Sequence, residues 1–246
     1  MWRCGAIEGE NQAQKHGGRG PGLRPRGQKQ LTDEQIQAGV HRRQVGGRWE
    51  EVGPLQLEFM QQRGLEARHK LLDVGCGAMR GGLHFVRYLD SGNYHGIDIE
   101  PSLIKAGKWE LRQERLMRKK PNFVVSDRFE VGRFGTTFHY AVAVSLFTHL
   151  NMNEIARCLT EVGRVLEPDG EFYATFFEAP SPVHLESLSF GPWLTSFDRD
   201  PYHYSFQEMA WLAGNCGLEA ELIGEWDHPL NQQMLCFSLC DIQQRA

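Results

Sequence analysis

The sequence lacks the features of a membrane or exported protein. None of its apolar runs approaches the roughly 18 residues that a membrane-spanning helix requires, and the segment after Met1 has no apolar signal-peptide core. The six cysteines form no Cys-x-x-Cys pair and have no zinc-like spacing to histidine. We therefore expect a cytoplasmic protein with reduced thiols, no bound metal and no membrane contact.

A strongly basic body is also lacking. Residues 1–48 contain nine Lys and Arg against four acids, whereas the remaining residues contain 18 basic and 27 acidic side chains. A nucleic-acid enzyme would need a basic face around its cleft, because neutralising phosphates supplies much of its affinity. The composition therefore predicts no nucleic-acid partner, and it leaves the oligomeric state open.

The most informative segment is present at residues 71–82, which read LLDVGCGAMRGG. It joins an apolar strand to a glycine-rich turn that leads into a helix, an arrangement that brings backbone N–H groups close to a ligand. Asp73 lies two residues before Gly75, where a dinucleotide fingerprint normally keeps an apolar residue. A carboxylate here would repel a pyrophosphate and attract a cationic ligand. The turn therefore favours S-adenosylmethionine over NAD.

A second acidic residue closes the next predicted strand. Residues 93–101 read NYHGIDIEP, and Asp98 stands near the spacing expected for a carboxylate that binds ribose hydroxyls.

With these two motifs the chain resembles the class I S-adenosylmethionine-dependent methyltransferases, over about residues 70 to 178. The resemblance implies an α/β fold of Rossmann-like type: a mostly parallel seven-stranded sheet with an antiparallel C-terminal edge hairpin and helices on both faces. It departs from the family at Met79, where many members have a third glycine.

The resemblance also implies S-adenosylmethionine as the cofactor and an acid after the third strand that contacts adenine, a position that Asp127 matches. The predicted cofactor-binding residues are Asp73, Gly75, Cys76, Gly77, Arg80, Asp98, Ile99, Asp127, Ser145 and Phe147.

Three regions are predicted along the chain. Residues 1–30 are rich in Gly, Gln, Arg and Pro and are expected to form a disordered tail. Residues 31–69 are expected to form a helical prefix, in which 41–49 either cover the cofactor as a lid or simply pack. Residues 70–246 form the methyltransferase domain, with an insertion without regular structure at about 178–204 that is typical of a functional loop.

His149 is the first candidate for a catalytic base, because it follows the fourth strand at the predicted cleft and an unperturbed imidazole titrates near neutral pH. His228 is a weaker alternative, followed by His184 and His203. Aromatic residues that could wall an acceptor, or merely pack, are Trp49, Trp193, Tyr202, Tyr204 and Trp226. A magnesium site at Asp198 and Asp200 has no further support.

The acceptor is predicted from what is missing after the fourth strand. DNA and RNA amino-methyltransferases usually have Asn/Asp-Pro-Pro-aromatic there, whereas this chain has Ser145-Leu146-Phe147-Thr148, and it contains no Pro-Cys dipeptide. We therefore expect methyl transfer to oxygen or nitrogen of a small organic acceptor. The alternatives are a protein or peptide methyltransferase and a non-catalytic S-adenosylmethionine-binding module.

Overall fold

The computed structural model describes residues 30–180 and 183–240. The predicted tail therefore lies almost wholly outside the described residues. The helices are α1 (Asp33–Gln37), α2 (Val40–Gln44), α3 (Trp49–Gln62), α4 (Gly82–Tyr88), α5 (Pro101–Gln113), α6 (Met152–Gly163) and α7 (Phe206–Asn215). The strands are β1 (Leu71–Val74), β2 (Tyr94–Asp98), β3 (Asn122–Val125), β4 (Phe138–Ala143), β5 (Leu166–Phe176), β6 (Leu188–Phe190), β7 (Trp193–Thr195), β8 (Leu218–Gly224) and β9 (Gln233–Leu239).

Seven strands form one sheet in the order β3-β2-β1-β4-β5-β9-β8. The first five strands in this order are parallel to one another, whereas β9 is antiparallel to both β5 and β8. The predicted parallel sheet with an antiparallel C-terminal hairpin is therefore confirmed. The carboxyl ends of β1, β2 and β4 meet at one edge, where ligands of such sheets bind.

The core has two halves, one on each face of the sheet, because successive strand residues point to opposite sides. Leu71 of β1 and Tyr173 of β5 pack in a cluster that contains residues of α3, α4 and α5. Their neighbours Leu72 and Phe172 pack in a second cluster with residues of α6 and α7. Helices thus cover both faces, as predicted.

Local capping explains where several helices begin. The sequences at residues 32–35 and 151–154 predict capping boxes, and both are confirmed: Thr32 accepts from the backbone of Gln35, and Asn151 accepts from that of Glu154. Ser205 forms a third box at α7. Each box gives partners to backbone N–H groups that the first helical turn leaves unpaired.

Some predicted boundaries were wrong. The Gly53-Pro54 pair predicts a helix that opens there, but α3 begins at Trp49, because Trp49 and Val52 are buried and extend its apolar face. Residues 168–170, Pro-Asp-Gly, predict a turn before the fifth strand, but β5 begins at Leu166 and continues through them, with a shift in its register against β4. The insertion contains the β6–β7 hairpin.

Candidate active site

The glycine turn after β1 is held against the end of β2 by backbone hydrogen bonds. Gly75 N and Cys76 N donate to Ile97 O over 2.8 and 3.1 Å. Gly75 and Gly77 have φ values of 73° and 51°, a region that disfavours other residues. A Cβ on Gly75 would lie 2.9 Å from Leu146 Cδ1. The turn therefore requires glycine for both its conformation and its packing.

Asp73 lies at the base of the turn and is 5% exposed. Its Oδ2 accepts a 2.6 Å hydrogen bond from Tyr94 Oη. Burial raises the pKa of Asp73 to about 7, although the bond from Tyr94 and the charge of Arg80 oppose the shift. A cationic ligand group placed here would favour the ionised carboxylate.

Asp98 is fixed on both of its oxygens at the end of β2. Oδ2 accepts from Gly77 N and Oδ1 accepts from Glu100 N, each over 2.8 Å. Burial raises the pKa of this carboxyl despite the two backbone bonds. Each oxygen retains a lone pair, so the carboxylate can still accept from a ligand hydroxyl.

A strap, residues 45–48 between α2 and α3, lies over the turn. Arg80 Nη1 donates to Val45 O and Gly47 O over 3.0 and 3.2 Å. Burial lowers the pKa of Arg80 to about 10, and the Asp73 carboxylate opposes that shift. A Cβ on Gly77 would lie 3.2 Å from Val45 Cγ1. The structure therefore brings part of the predicted lid into contact with the predicted cofactor turn.

The helix before the strap is anchored by a buried charge cluster. Arg42 binds both Glu110 oxygens over 2.7 and 2.9 Å, and His41 Nε2 lies 2.7 Å from Glu110 Oε1. Burial would raise the pKa of Glu110, but the hydrogen bonds from His41 and Arg42 outweigh it and lower that pKa to about 2. Trp49 packs edge-on against His41. The Trp49 ring is therefore part of this anchor.

The remaining cofactor candidates have different surroundings. Cys76 is buried, and burial raises its pKa. Ile99 follows Asp98 directly, while Asp127 is exposed just after Ser126, whose N donates to Asp98 O. Phe147 is fully buried against Phe172 and Phe237. Its side chain therefore belongs to the core and does not face a ligand.

Ser145 belongs to a polar network after β4. Its N donates to Thr175 Oγ1 over 2.7 Å, and its Oγ donates to Gln232 Oε1 over 3.1 Å. Thr175 Oγ1 also donates to Gln232 Oε1 over 2.7 Å. The network joins the end of β4 to the connection between β8 and β9, at the same edge of the sheet as Asp73.

His149 forms a pair with a residue of the insertion. Its Nδ1 lies 2.6 Å from Asp200 Oδ1, and both side chains are just over half exposed, at 54% and 55%. The backbone supports this contact, because Tyr202 N donates to Thr148 O over 2.7 Å. With the Nδ1 proton directed to the carboxylate, Nε2 has a free lone pair.

His228 has the opposite arrangement. Its Nδ1 accepts from Leu230 N over 3.3 Å, so the proton of the neutral ring lies on Nε2. Burial, followed by the charges of Arg80 and Arg48, lowers the pKa of His228 to about 4. The ring stacks on Trp226 at 5.2 Å. At neutral pH this side chain is a hydrogen-bond donor, which disfavours the role of base considered for it.

The other candidates have partners of their own within the insertion and its neighbours. Both ring nitrogens of His203 are engaged, by Thr195 and by the carbonyl of His184, and His184 pairs with Glu208. Tyr204 is buried and donates to Leu150 O, with Tyr202 stacked on it. Trp193 is 43% exposed on β7. Of the five aromatic candidates, only Trp226 contacts His228.

Three residues of the site escaped sequence reasoning in these roles. Tyr94 bonds Asp73, Asp200 bonds His149, and Gln232 joins Ser145 to Thr175. Parallel pairing of β1 with β2 could have suggested Tyr94. Asp200 and Gln232 are 51 and 87 residues from their partners, and no local pattern marks them.

Two fixed carboxylates flank a glycine turn at the carboxyl edge of a mostly parallel sheet. This arrangement defines a class I methyltransferase fold and site. Residues 71–170 match the family model described as a methyltransferase domain. Over these residues the chain contains a methyltransferase domain, and the resemblance to the class I S-adenosylmethionine-dependent methyltransferases is confirmed there. The predicted cofactor, S-adenosylmethionine, is confirmed with the family.

Solved structures of low sequence identity share the fold. An S-adenosylmethionine-dependent methyltransferase from Clostridium acetobutylicum has a TM-score of 0.62 at 10% identity, covering 85% of this chain and 100% of its own. Magnesium protoporphyrin IX methyltransferase from Synechocystis has a TM-score of 0.56 at 14% identity, covering 88% of each chain. A glycopeptide N-methyltransferase has a TM-score of 0.60 at 11% identity, covering 76% of this chain and 90% of its own.

Within residues 30–180 and 183–240 no helix has the length and apolar character to cross a bilayer. The same ranges contain no group of three or more His, Cys, Asp or Glu side chains that could hold a metal ion. Asp198 accepts from Ser196 Oγ over 2.7 Å, and Asp200 pairs with His149.

Proposed function

We propose that this methyltransferase transfers the methyl group of S-adenosylmethionine to an oxygen or nitrogen atom of a small organic acceptor. The observation that carries the proposal is the pair of fixed carboxylates, Asp73 and Asp98, on either side of a turn whose two glycines have positive φ. The bound cofactor supplies an electrophilic methyl group on a sulfonium, which becomes a neutral thioether after transfer. The chain itself has to bind and orient the cofactor and the acceptor and to remove a proton from the acceptor.

The polar residues of the turn fit the cofactor at two places. Asp98 would accept the ribose hydroxyls, since each of its oxygens keeps a lone pair beside a backbone N–H bond. Asp73 would face the cationic methionine end, whose charge offsets the cost of ionising a buried carboxylate. Asp127, directly after the segment that bonds Asp98, is the candidate for the adenine amino group.

Two histidines supply complementary chemistry on the acceptor side. His149 Nε2 would remove a proton from an acceptor hydroxyl or ammonium, while Asp200 orients the ring and stabilises its protonated form. His228 Nε2–H would donate to an acceptor oxygen and position it. Asp200 is thus a positioning residue that acts through His149.

The size of the acceptor follows from what covers the turn. Val45 and Leu146 pack against the two glycines, and Arg80 holds the strap through two carbonyls. A strap that packs this closely on the turn supports a small acceptor over a folded protein or a duplex.

Binding and turnover test this proposal separately. Calorimetry with S-adenosylmethionine, S-adenosylhomocysteine and NADH should show micromolar binding of the first two only; micromolar NADH binding without them would overturn the cofactor assignment. Methyl release is then measured over phenols, carboxylic acids, amines and short peptides. Binding without turnover on any acceptor supports the non-catalytic module, and turnover on peptides alone supports the peptide methyltransferase.

A further inference from the structure

A second cavity lies at the end of the sheet opposite the glycine turn. It is formed where Lys70 precedes β1, where β2 and β3 begin, and where the short helical segment 131–134 packs beside them. Its volume is about 460 Å³, within the range of roughly 300–1,000 Å³ that is usual for small-molecule sites. The side chains that matter are Lys70, His95, Asn122, Arg133, Phe134 and Thr136.

The lining carries positive charge without acidic residues. Lys70 Nζ donates to Thr136 Oγ1 over 2.6 Å, and it forms no ion pair with any residue in the described ranges. Arg133 Nη1 donates to Val125 O over 3.1 Å and contacts Glu130 at 3.4 Å, a long contact between half-exposed side chains. Exposed pairs of that kind hold their partners weakly. Both cations are therefore available to an anionic ligand.

The floor of the cavity is neutral and aromatic. Asn122 Nδ2 donates to Gly92 O and to His95 Nε2 over 3.3 and 3.2 Å, so the His95 proton lies on Nδ1. Burial lowers the pKa of His95 and keeps the ring uncharged. Phe134 packs edge-on against it, with ring centroids 5.1 Å apart. The cavity thus combines two cations at its opening with an apolar wall.

We propose that this cavity binds the phosphate monoester of a small organic molecule, at a site separate from the methyl-transfer cleft. A phosphate monoester carries nearly two negative charges at neutral pH, which matches one ammonium and one guanidinium. Phe134 and His95 would contact the organic part. Nothing in this inference depends on the methyl acceptor.

Calorimetry on the full chain saturated with S-adenosylhomocysteine tests the proposal, because the adenosine-binding cleft is then occupied. The probes are phenyl phosphate, ribose 5-phosphate, inorganic phosphate and phenol. We expect phenyl phosphate to bind, with phenol silent and inorganic phosphate at least tenfold weaker. Ribose 5-phosphate between these two would support a contribution from the aromatic wall.

The variants Lys70→Met and Arg133→Met should each weaken phenyl phosphate binding about tenfold, while the affinity for S-adenosylhomocysteine and the melting temperature stay unchanged. Arg128→Met is the matched control, an exposed arginine from the neighbouring loop that does not line the cavity. No binding of any phosphate at millimolar concentration overturns the proposal. Three other results would also overturn it. Arg128→Met could weaken phenyl phosphate binding as much as the cavity variants do, both cavity variants could bind phenyl phosphate fully, or inorganic phosphate could bind as tightly as phenyl phosphate.

Discussion

The two candidate histidines, His149 and His228, offer opposite hydrogen-bonding roles at Nε2, although both lie in segments that follow strands of the same sheet. His149 meets a carboxylate through Nδ1 and leaves Nε2 free to take a proton. His228 meets a backbone N–H through Nδ1 and leaves Nε2 as a donor. The hydrogen-bond partner of one ring nitrogen therefore decides whether the other nitrogen donates or accepts, and the residue type alone does not decide this.

Solvent strengthens the difference between them. His149 is half exposed beside Asp200, whereas burial, followed by the charges of Arg80 and Arg48, lowers the pKa of His228 to about 4. A ring that is neutral throughout the physiological range cannot produce a pH-dependent limb near neutrality. His228 is therefore expected to contribute none.

The largest expected effect is that of His149→Ala. If His149 is the base, turnover should fall about 10²-fold or more, while the affinity for S-adenosylhomocysteine changes less than threefold. The rise of rate with pH should disappear in the variant. Full activity with an unchanged pH profile would place the base elsewhere.

Asp200→Asn is the matched variant for the same pair. It keeps the side-chain size and removes the charge that orients the His149 ring, so turnover should fall about tenfold while the affinity for S-adenosylhomocysteine stays unchanged. An equal loss of cofactor affinity would assign Asp200 a purely structural role and separate it from the chemistry.

Asp98→Ala tests the proposed cofactor contact, in contrast to the histidine variants, which test the proposed acceptor contacts. Loss of a carboxylate that accepts ribose hydroxyls should cost about 1.5–3 kcal/mol, or roughly ten- to 150-fold in cofactor affinity. The fold should survive, which circular dichroism can check. An unchanged dissociation constant would assign the ribose to another acid.

His228→Phe should reduce kcat/KM for the acceptor about threefold to tenfold, the value of one neutral hydrogen bond. The pH limb should stay, in contrast to His149→Ala. His228→Asn keeps a side-chain donor and should recover part of the loss. Full activity in His228→Phe together with a defect in His228→Asn would mean that stacking on Trp226 matters and donation does not.

The smallest expected effect concerns Asp73. Its pKa of about 7 means that the free carboxyl is largely neutral below that pH. A ligand with a cationic methionine end binds the ionised form, so its affinity should rise about fivefold between pH 6 and pH 7. Asp73→Asn should remove this rise. A flat profile in the unaltered protein would contradict the proposed contact.

Much of the fold could be predicted because its signals are local. Strand periodicity, the glycine turn at residues 71–82 and the boxes at Thr32 and Asn151 depend on neighbours within a few positions. The hairpin within the insertion was not found, because its strands have three residues each. The early start of α3 depends on the burial of Trp49, which a helix boundary signal does not contain.

The sequence by itself determined the order of strands and helices, the two acids that end β1 and β2, and the positions of the histidines. Only the tertiary structure decided what those histidines can do. The Asp200 and Leu230 contacts fix which nitrogen carries the proton, and burial beside Arg48 and Arg80 keeps His228 neutral. Protonation depends on distance and solvent in three dimensions, and residues 51 positions apart become neighbours only after the chain has folded.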